Sequence, residues 1–149
     1  MSCQDCLNRR DFLAKSALAA AALAVLEGCG DGQIGPTAAK LPPGGVSVTL
    51  AEFPDLATVG AVVAVKPEIA LVRTGTTTFV AFSRICTHEG CVTDVVKSSN
   101  RFECPCHGSI FSNTGAVVRG PNGQSGGIRP LDQLATRFDA TAGTVTITT

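Results

Sequence analysis

Tryptophan and tyrosine are absent from this chain of 149 residues, methionine occurs once and histidine twice. Imidazole chemistry is therefore confined to two positions, His88 and His107. The seven phenylalanines make up the whole aromatic complement and read as core or inter-sheet filler, not as stacking platforms. An excess of one charge is also missing, with Lys+Arg and Asp+Glu both at 12. No basic surplus exists to bind nucleic acid through its phosphates. The apolar run 16–26 has 11 residues, whereas a spanning helix needs about 20. A permanent membrane-spanning anchor is therefore not expected. No nucleophile–base pair, phosphate-cradling glycine loop or nicotinamide fingerprint is evident. By itself the chain shows no signature of a catalyst.

What is present favours β-structure. Ala, Val, Thr and Gly dominate, with 16 Gly and 8 Pro, a mixture suited to short strands and many turns. Alternating or β-rich runs fall at 46–50, 61–65, 69–73, 77–82, 134–138 and 144–148. The last two, joined by Ala-Thr-Ala-Gly, predict a terminal hairpin. No long amphipathic helix is expected after residue 30. Arg73, Arg84 and Arg101 read as solvated faces.

The N-terminus has a different character. Arg9-Arg10-Asp11-Phe12-Leu13-Ala14-Lys15, followed by the short apolar run, resembles a twin-arginine export signal. Such a signal is a receptor-read address. Leu26-Glu27-Gly28-Cys29 resembles a lipoprotein cleavage box, with Cys29 as the lipidated residue and Glu27 a poor fit. Lipid attachment to the membrane and ordinary cleavage nearby are both open. Cys3 and Cys6 lie upstream of the signal and would leave with it. Residues 30–45 are dense in Gly and Pro and read as a flexible tether. The expected organisation is a signal over 1–29, a linker over 30–45 and one domain over 46–149.

Two short clusters carry the chemistry. One is Cys86-Thr87-His88-Glu89-Gly90-Cys91 and the other is Cys104-Pro105-Cys106-His107-Gly108-Ser109. They hold both histidines and four of the seven cysteines. Each pairs a Cys with a His at ligand spacing, and each follows a β-run. A two-Cys, two-His set reads as a metal centre, with structural zinc as the plain alternative. Zinc, however, has no use for Cys91, Cys106 or Ser109. A scaffold built on disulfides alone explains neither histidine.

The two boxes resemble those of the Rieske iron–sulfur proteins of the quinol-oxidising cytochrome bc kind. The likeness is strongest over 79–131. It implies an all-β fold: an antiparallel β-sandwich or barrel base with a cluster-binding insert over about 83–131. It implies one [2Fe–2S] cluster per chain, with Cys86 and Cys104 on one iron and His88 and His107 on the other. It further implies a Cys91–Cys106 disulfide and a Ser109 hydroxyl bonded to a bridging sulfide, which raises the potential. Gly120-Pro121, with Pro130-Leu131 following, resembles the family's proline loop over the cluster.

Such an arrangement has a chemical logic. Two ferric ions, two sulfides and two thiolates sum to zero charge, so an electron enters more easily than in an all-cysteine cluster. Reduction then favours a proton on each ligand imidazole. An electron and a proton can be taken together, as quinol oxidation requires. The resemblance thus implies an exported electron carrier on the periplasmic face of the membrane or in the periplasm. It would accept from quinol beside a cytochrome b subunit and pass electrons to a c-type cytochrome. The alternative is the small Rieske subunit of another periplasmic oxidoreductase, of the arsenite-oxidase kind.

Three departures stand out. Phe111 replaces a tyrosine whose hydroxyl, in high-potential members, bonds a ligand sulfur, so a lower potential is expected. Glu89 occupies a position often apolar in the family. The segment 122–129 makes the proline loop long and Gly-rich.

Overall fold

The computed structural model describes residues 39–124 and 127–149. The signal and cleavage-box readings over 1–29, and the linker up to residue 38, lie outside the described residues. The described residues form one compact unit.

Among the described residues, ten strands build two antiparallel sheets. The base sheet has the order β1-β10-β9-β4-β3-β2, from β1 (Val46–Thr49), β2 (Val62–Lys66), β3 (Ile69–Arg73), β4 (Phe79–Ser83), β9 (Gln133–Asp139) and β10 (Thr144–Thr148). The insert sheet has the order β5-β6-β7-β8, from β5 (Asp94–Val96), β6 (Arg101–Glu103), β7 (Ile110–Phe111) and β8 (Val117–Arg119). The all-β expectation holds, and the β-rich runs of the sequence become base strands with small shifts at their ends.

Strand periodicity explains how the base serves the insert. Side chains alternate between the two faces of a sheet. Val63, Val65, Ile69, Leu71, Phe79 and Ala81 point to one face, where they meet Val48, Leu134, Val145 and Ile147. Strands from both edges of the sheet thus share one core, and the sheet curls around it. Their neighbours Val62, Ala70, Val72 and Phe82 point the other way and pack with Phe102, Phe111, Cys86 and Cys104 of the insert. Strand β3 therefore reads as a nearly continuous apolar run, because both of its faces are covered.

The insert leaves the base after β4 and returns at β9. These strands are neighbours, with Ala81 opposite Leu134 and Phe82 opposite Gln133. The two ends of the insert are thereby held side by side. Phe82 and Phe102 meet edge to face at 6.1 Å across the junction. Gly115 completes it. An added Cβ there would lie 2.6 Å from the Phe82 ring, and its φ of +76° disfavours any side chain.

The terminal hairpin forms as expected, with the backbone amides of Thr141 and Ala142 donating to Asp139 Oδ1 at 2.9 and 3.0 Å. Two sequence readings change. Ala39 is buried and its N–H donates to Ser83 Oγ at 3.1 Å, and Leu41 packs on the base core. Residues 39–45, read as the end of the tether, therefore lie against the base. The three arginines are also not merely solvated. Arg73 donates to Gly75 O and Leu56 O at 2.9 and 3.0 Å. Arg84 donates to Thr93 O and Pro67 O at 2.8 and 2.9 Å, tying base to insert. Burial lowers its pKa, partly offset by Asp94. Arg101 pairs with Glu103 at 2.6 Å. Long side chains can bury their stems and anchor backbone carbonyls while the charge stays near water.

Candidate metal centre

The two boxes fold into matching loops. In the first, the Cys86 amide donates to Cys91 O at 2.7 Å and the Gly90 amide to Cys86 O at 2.9 Å. In the second, the Cys104 amide donates to Ser109 O at 2.8 Å and the Gly108 amide to Cys104 O at 3.0 Å. Both tight closures need a positive φ at the fifth position, supplied by Gly90 at 77° and Gly108 at 68°. Glycine adopts that conformation without the Cβ penalty. Each loop is seated by short pairing at its ends. Ile85 bridges Val92 at the first, and β6 pairs with β7 around the second.

The sequence-predicted residues converge. Cys86 and Cys104 are free thiols buried against the apolar face of the base. Cys91 and Cys106 form the expected disulfide, which joins the end of one loop to the middle of the other. The sulfurs of Cys91, Cys104 and Cys106 all lie within 4.8 Å of one another. The rings of His88 and His107 meet edge to face, 4.8 Å between centroids. Their side chains are 26% and 34% exposed. The site therefore has a side of two dry thiols, Cys86 and Cys104, and a side of partly exposed imidazoles.

The donor set fits an iron–sulfur group. His88 Nδ1, His107 Nδ1 and Ser109 Oγ are buried without a hydrogen-bond partner. Buried polar atoms are rarely left so, and three on these two loops point to a group that satisfies them. Burial pushes the Cys86 thiol above its ordinary value, and Cys104 adds to the rise. The His88 backbone amide and Ser109 oppose it. The Cys86 thiol, buried in this apolar pocket, resists ionising alone, and bound metal cations would supply the missing positive charge.

Several contacts around the site were not legible in the sequence. The Asn122 amide donates to His107 O at 2.7 Å. Arg119 Nη2 donates to Gly108 O at 3.0 Å. The Thr87 hydroxyl donates to Arg129 O. The segment after β8 therefore braces the second loop at its start and the first loop at its end. Glu89, at the position often apolar in the family, is 59% exposed and stands 3.7 Å from a nitrogen of each histidine. Phe111 is fully buried in the insert core.

Comparison with known proteins agrees with this construction. The family model described as Rieske [2Fe-2S] domain matches residues 48–136. The chain belongs to the Rieske [2Fe–2S] domain family, and its cofactor is the [2Fe–2S] cluster of that family. Within the family it is related to the cytochrome b6-f iron–sulfur subunits. It is 62% identical over 37 residues to the cytochrome b6-f complex iron-sulfur subunit of Trichodesmium erythraeum, covering 25% of this chain and 21% of that protein. It is 44% identical over 66 residues to the chloroplastic subunit of Chlamydomonas reinhardtii, covering 44% of this chain and 29% of that one. The matched part thus spans less than a third of either relative. In fold the chain resembles a quaternary ammonium Rieske monooxygenase, with a TM-score of 0.51 and 22% identity over 70% of this chain and 31% of that one.

Proposed function

We propose that this protein is an exported electron-transfer subunit that accepts electrons and protons from quinol in a cytochrome bc-type reductase and delivers electrons to a c-type cytochrome. The observation that carries the reading is a pair of buried free thiols and a pair of unpartnered Nδ1 atoms on two loops joined by one disulfide. Cys86 and Cys104 would hold one iron, and His88 and His107 the other. When bound, the [2Fe–2S] group supplies reversible one-electron storage at a potential raised by its histidine ligands.

The chain's own residues do the rest. The apolar face of β2, β3 and β4 keeps water from the two thiolates. The half-exposed imidazoles turn toward solvent, so a partner meets the histidines first. Ser109, fully buried beside the cysteines, is placed to donate its hydroxyl hydrogen to sulfur. The disulfide holds the two loops in one geometry through a redox cycle. The twin-arginine pattern supports export of an already folded, loaded protein to the periplasmic side of the membrane.

Glu89 favours a second reading, a Rieske small subunit of another periplasmic oxidoreductase of the arsenite-oxidase kind. A carboxylate at the histidine tip suits a polar docking surface better than an apolar quinol pocket. A pH-dependent redox titration of the purified protein, with electron paramagnetic resonance of the reduced form, tests the proposal. An asymmetric iron pair with a pH-dependent potential is expected. A colourless protein, or one without that signal, would sink it. A direct assay with a quinol and with a c-type cytochrome then separates the two readings.

A further inference from the structure

Glu89 is the one acidic residue at the histidine tip that reaches both rings. Its Oε1 lies 3.7 Å from His88 Nε2 and its Oε2 lies 3.7 Å from His107 Nδ1. These distances exceed a hydrogen bond but place the carboxylate against both rings. The same three side chains form a group whose donor atoms all lie within 4.8 Å of one another. Among the described residues, no lysine or arginine pairs with Glu89. Arg129 is paired with Asp132, and Arg119 is anchored on Gly108 O. Loop geometry sets the backbone position of Glu89. Gly90, at positive φ, turns the chain directly after Glu89, and its amide closes on Cys86 O.

We infer that Glu89 is a positioning residue that spans the two histidines and, by its fixed negative charge, holds the reduction potential below the value the ligand set alone would give. The inference rests on the Rieske reading. Reduction adds one negative charge at the metal centre, and the Glu89 carboxylate repels it. The repulsion acts through the edge of the protein, where the effective dielectric is high and salt screens it. The carboxylate also makes the surface that a redox partner meets anionic, so a partner presenting lysine or arginine is favoured there.

The test compares midpoint potentials of the loaded wild-type protein, Glu89→Gln, Glu89→Asp and Glu68→Gln at low and high ionic strength. Glu68, on the β2–β3 turn, is the control for an equal change in net charge. Electron paramagnetic resonance of each reduced sample checks the iron pair. Glu89→Gln is expected to make reduction easier, roughly threefold to tenfold in the equilibrium constant at low salt, with a smaller gain at high salt. Glu89→Asp should stay near wild type, and Glu68→Gln should not move. A Gln variant that fails to load beside an Asp variant that loads at wild-type potential overturns the inference, because Glu89 then acts in loading and not on the potential. An intact signal with an unchanged potential in Glu89→Gln overturns this inference and leaves the Rieske reading standing. Absence of the signal in the wild type overturns both.

Discussion

Cys91 closes the first loop, and its disulfide partner Cys106 sits in the middle of the second, 15 positions along the chain. This bond fastens the two ligand-bearing loops to each other independently of any metal. Linking residues so spaced removes chain entropy from the unfolded state, worth about 3 kcal/mol for a loop of this length. The Cys91→Ala/Cys106→Ala double variant should therefore unfold at a lower denaturant concentration. It should also bleach faster in visible absorbance, because the loops can part. Equal bleaching rates in wild type and variant would count against the clamp.

Ser109 gives two readouts of opposite sign. Its hydroxyl is fully buried and has no partner among the described residues. In Ser109→Ala the loaded protein should have a lower potential, since a hydrogen bond to sulfur is lost. The protein stripped of metal should be no less stable, or more so, because an unsatisfied buried group is removed, typically worth 1–3 kcal/mol. Voltammetry and denaturant melts check the two halves separately.

Phe111, two residues further on, lies in the insert core with no polar atom to offer. Phe111→Tyr should raise the potential if the added hydroxyl reaches sulfur. An unchanged potential with an intact spectrum would show that the hydroxyl points elsewhere.

Acidity follows from the Cys86 environment. Burial raises its folded-state pKa above the ordinary 9.0. In the metal-free protein the folded state then holds a proton that the unfolded state gives up in alkali. This contribution to stability is fully present below about pH 9 and is lost as the pH rises through the raised value. Urea melts of the stripped protein should show the loss, and Cys86→Ser should abolish it. Metal loading must release the thiol protons, so loading should weaken as the pH falls.

Gly115 is the packing prediction. Its φ is +76°, and a Cβ would come within 2.6 Å of Phe82, while its carbonyl accepts from the Leu131 amide at 2.9 Å. Gly115→Ala should destabilise the protein by roughly 1–3 kcal/mol and loosen the junction of base and insert. Calorimetry of loaded and stripped protein measures it, and an unchanged melting temperature would contradict the contact.

The two Cys/His loops, the likeness to Rieske proteins and the six base strands could be read from the amino-acid sequence. Ligand chemistry is local, so Cys-x-His and Cys-x-x-His announce themselves by spacing. Alternation along a strand announces which residues are buried, as in Thr144–Thr148. Other features depend on distant segments meeting. Nothing near Gly115 in the chain indicates Phe82, and nothing near His107 reveals that the amide of Asn122 would hold its carbonyl. Arg84 looked like a surface charge because its acceptors, Thr93 O and Pro67 O, come from two other segments.

The residue types determined what can be bound: two thiols and two imidazoles define the donor set whatever surrounds them. Tertiary structure decided how those donors stand, with sulfur dry on the second face of β2, β3 and β4, imidazoles at the rim, and Glu89 across both rings. Burial and charge–charge distance are properties of packing in space, and separation along the chain does not specify them.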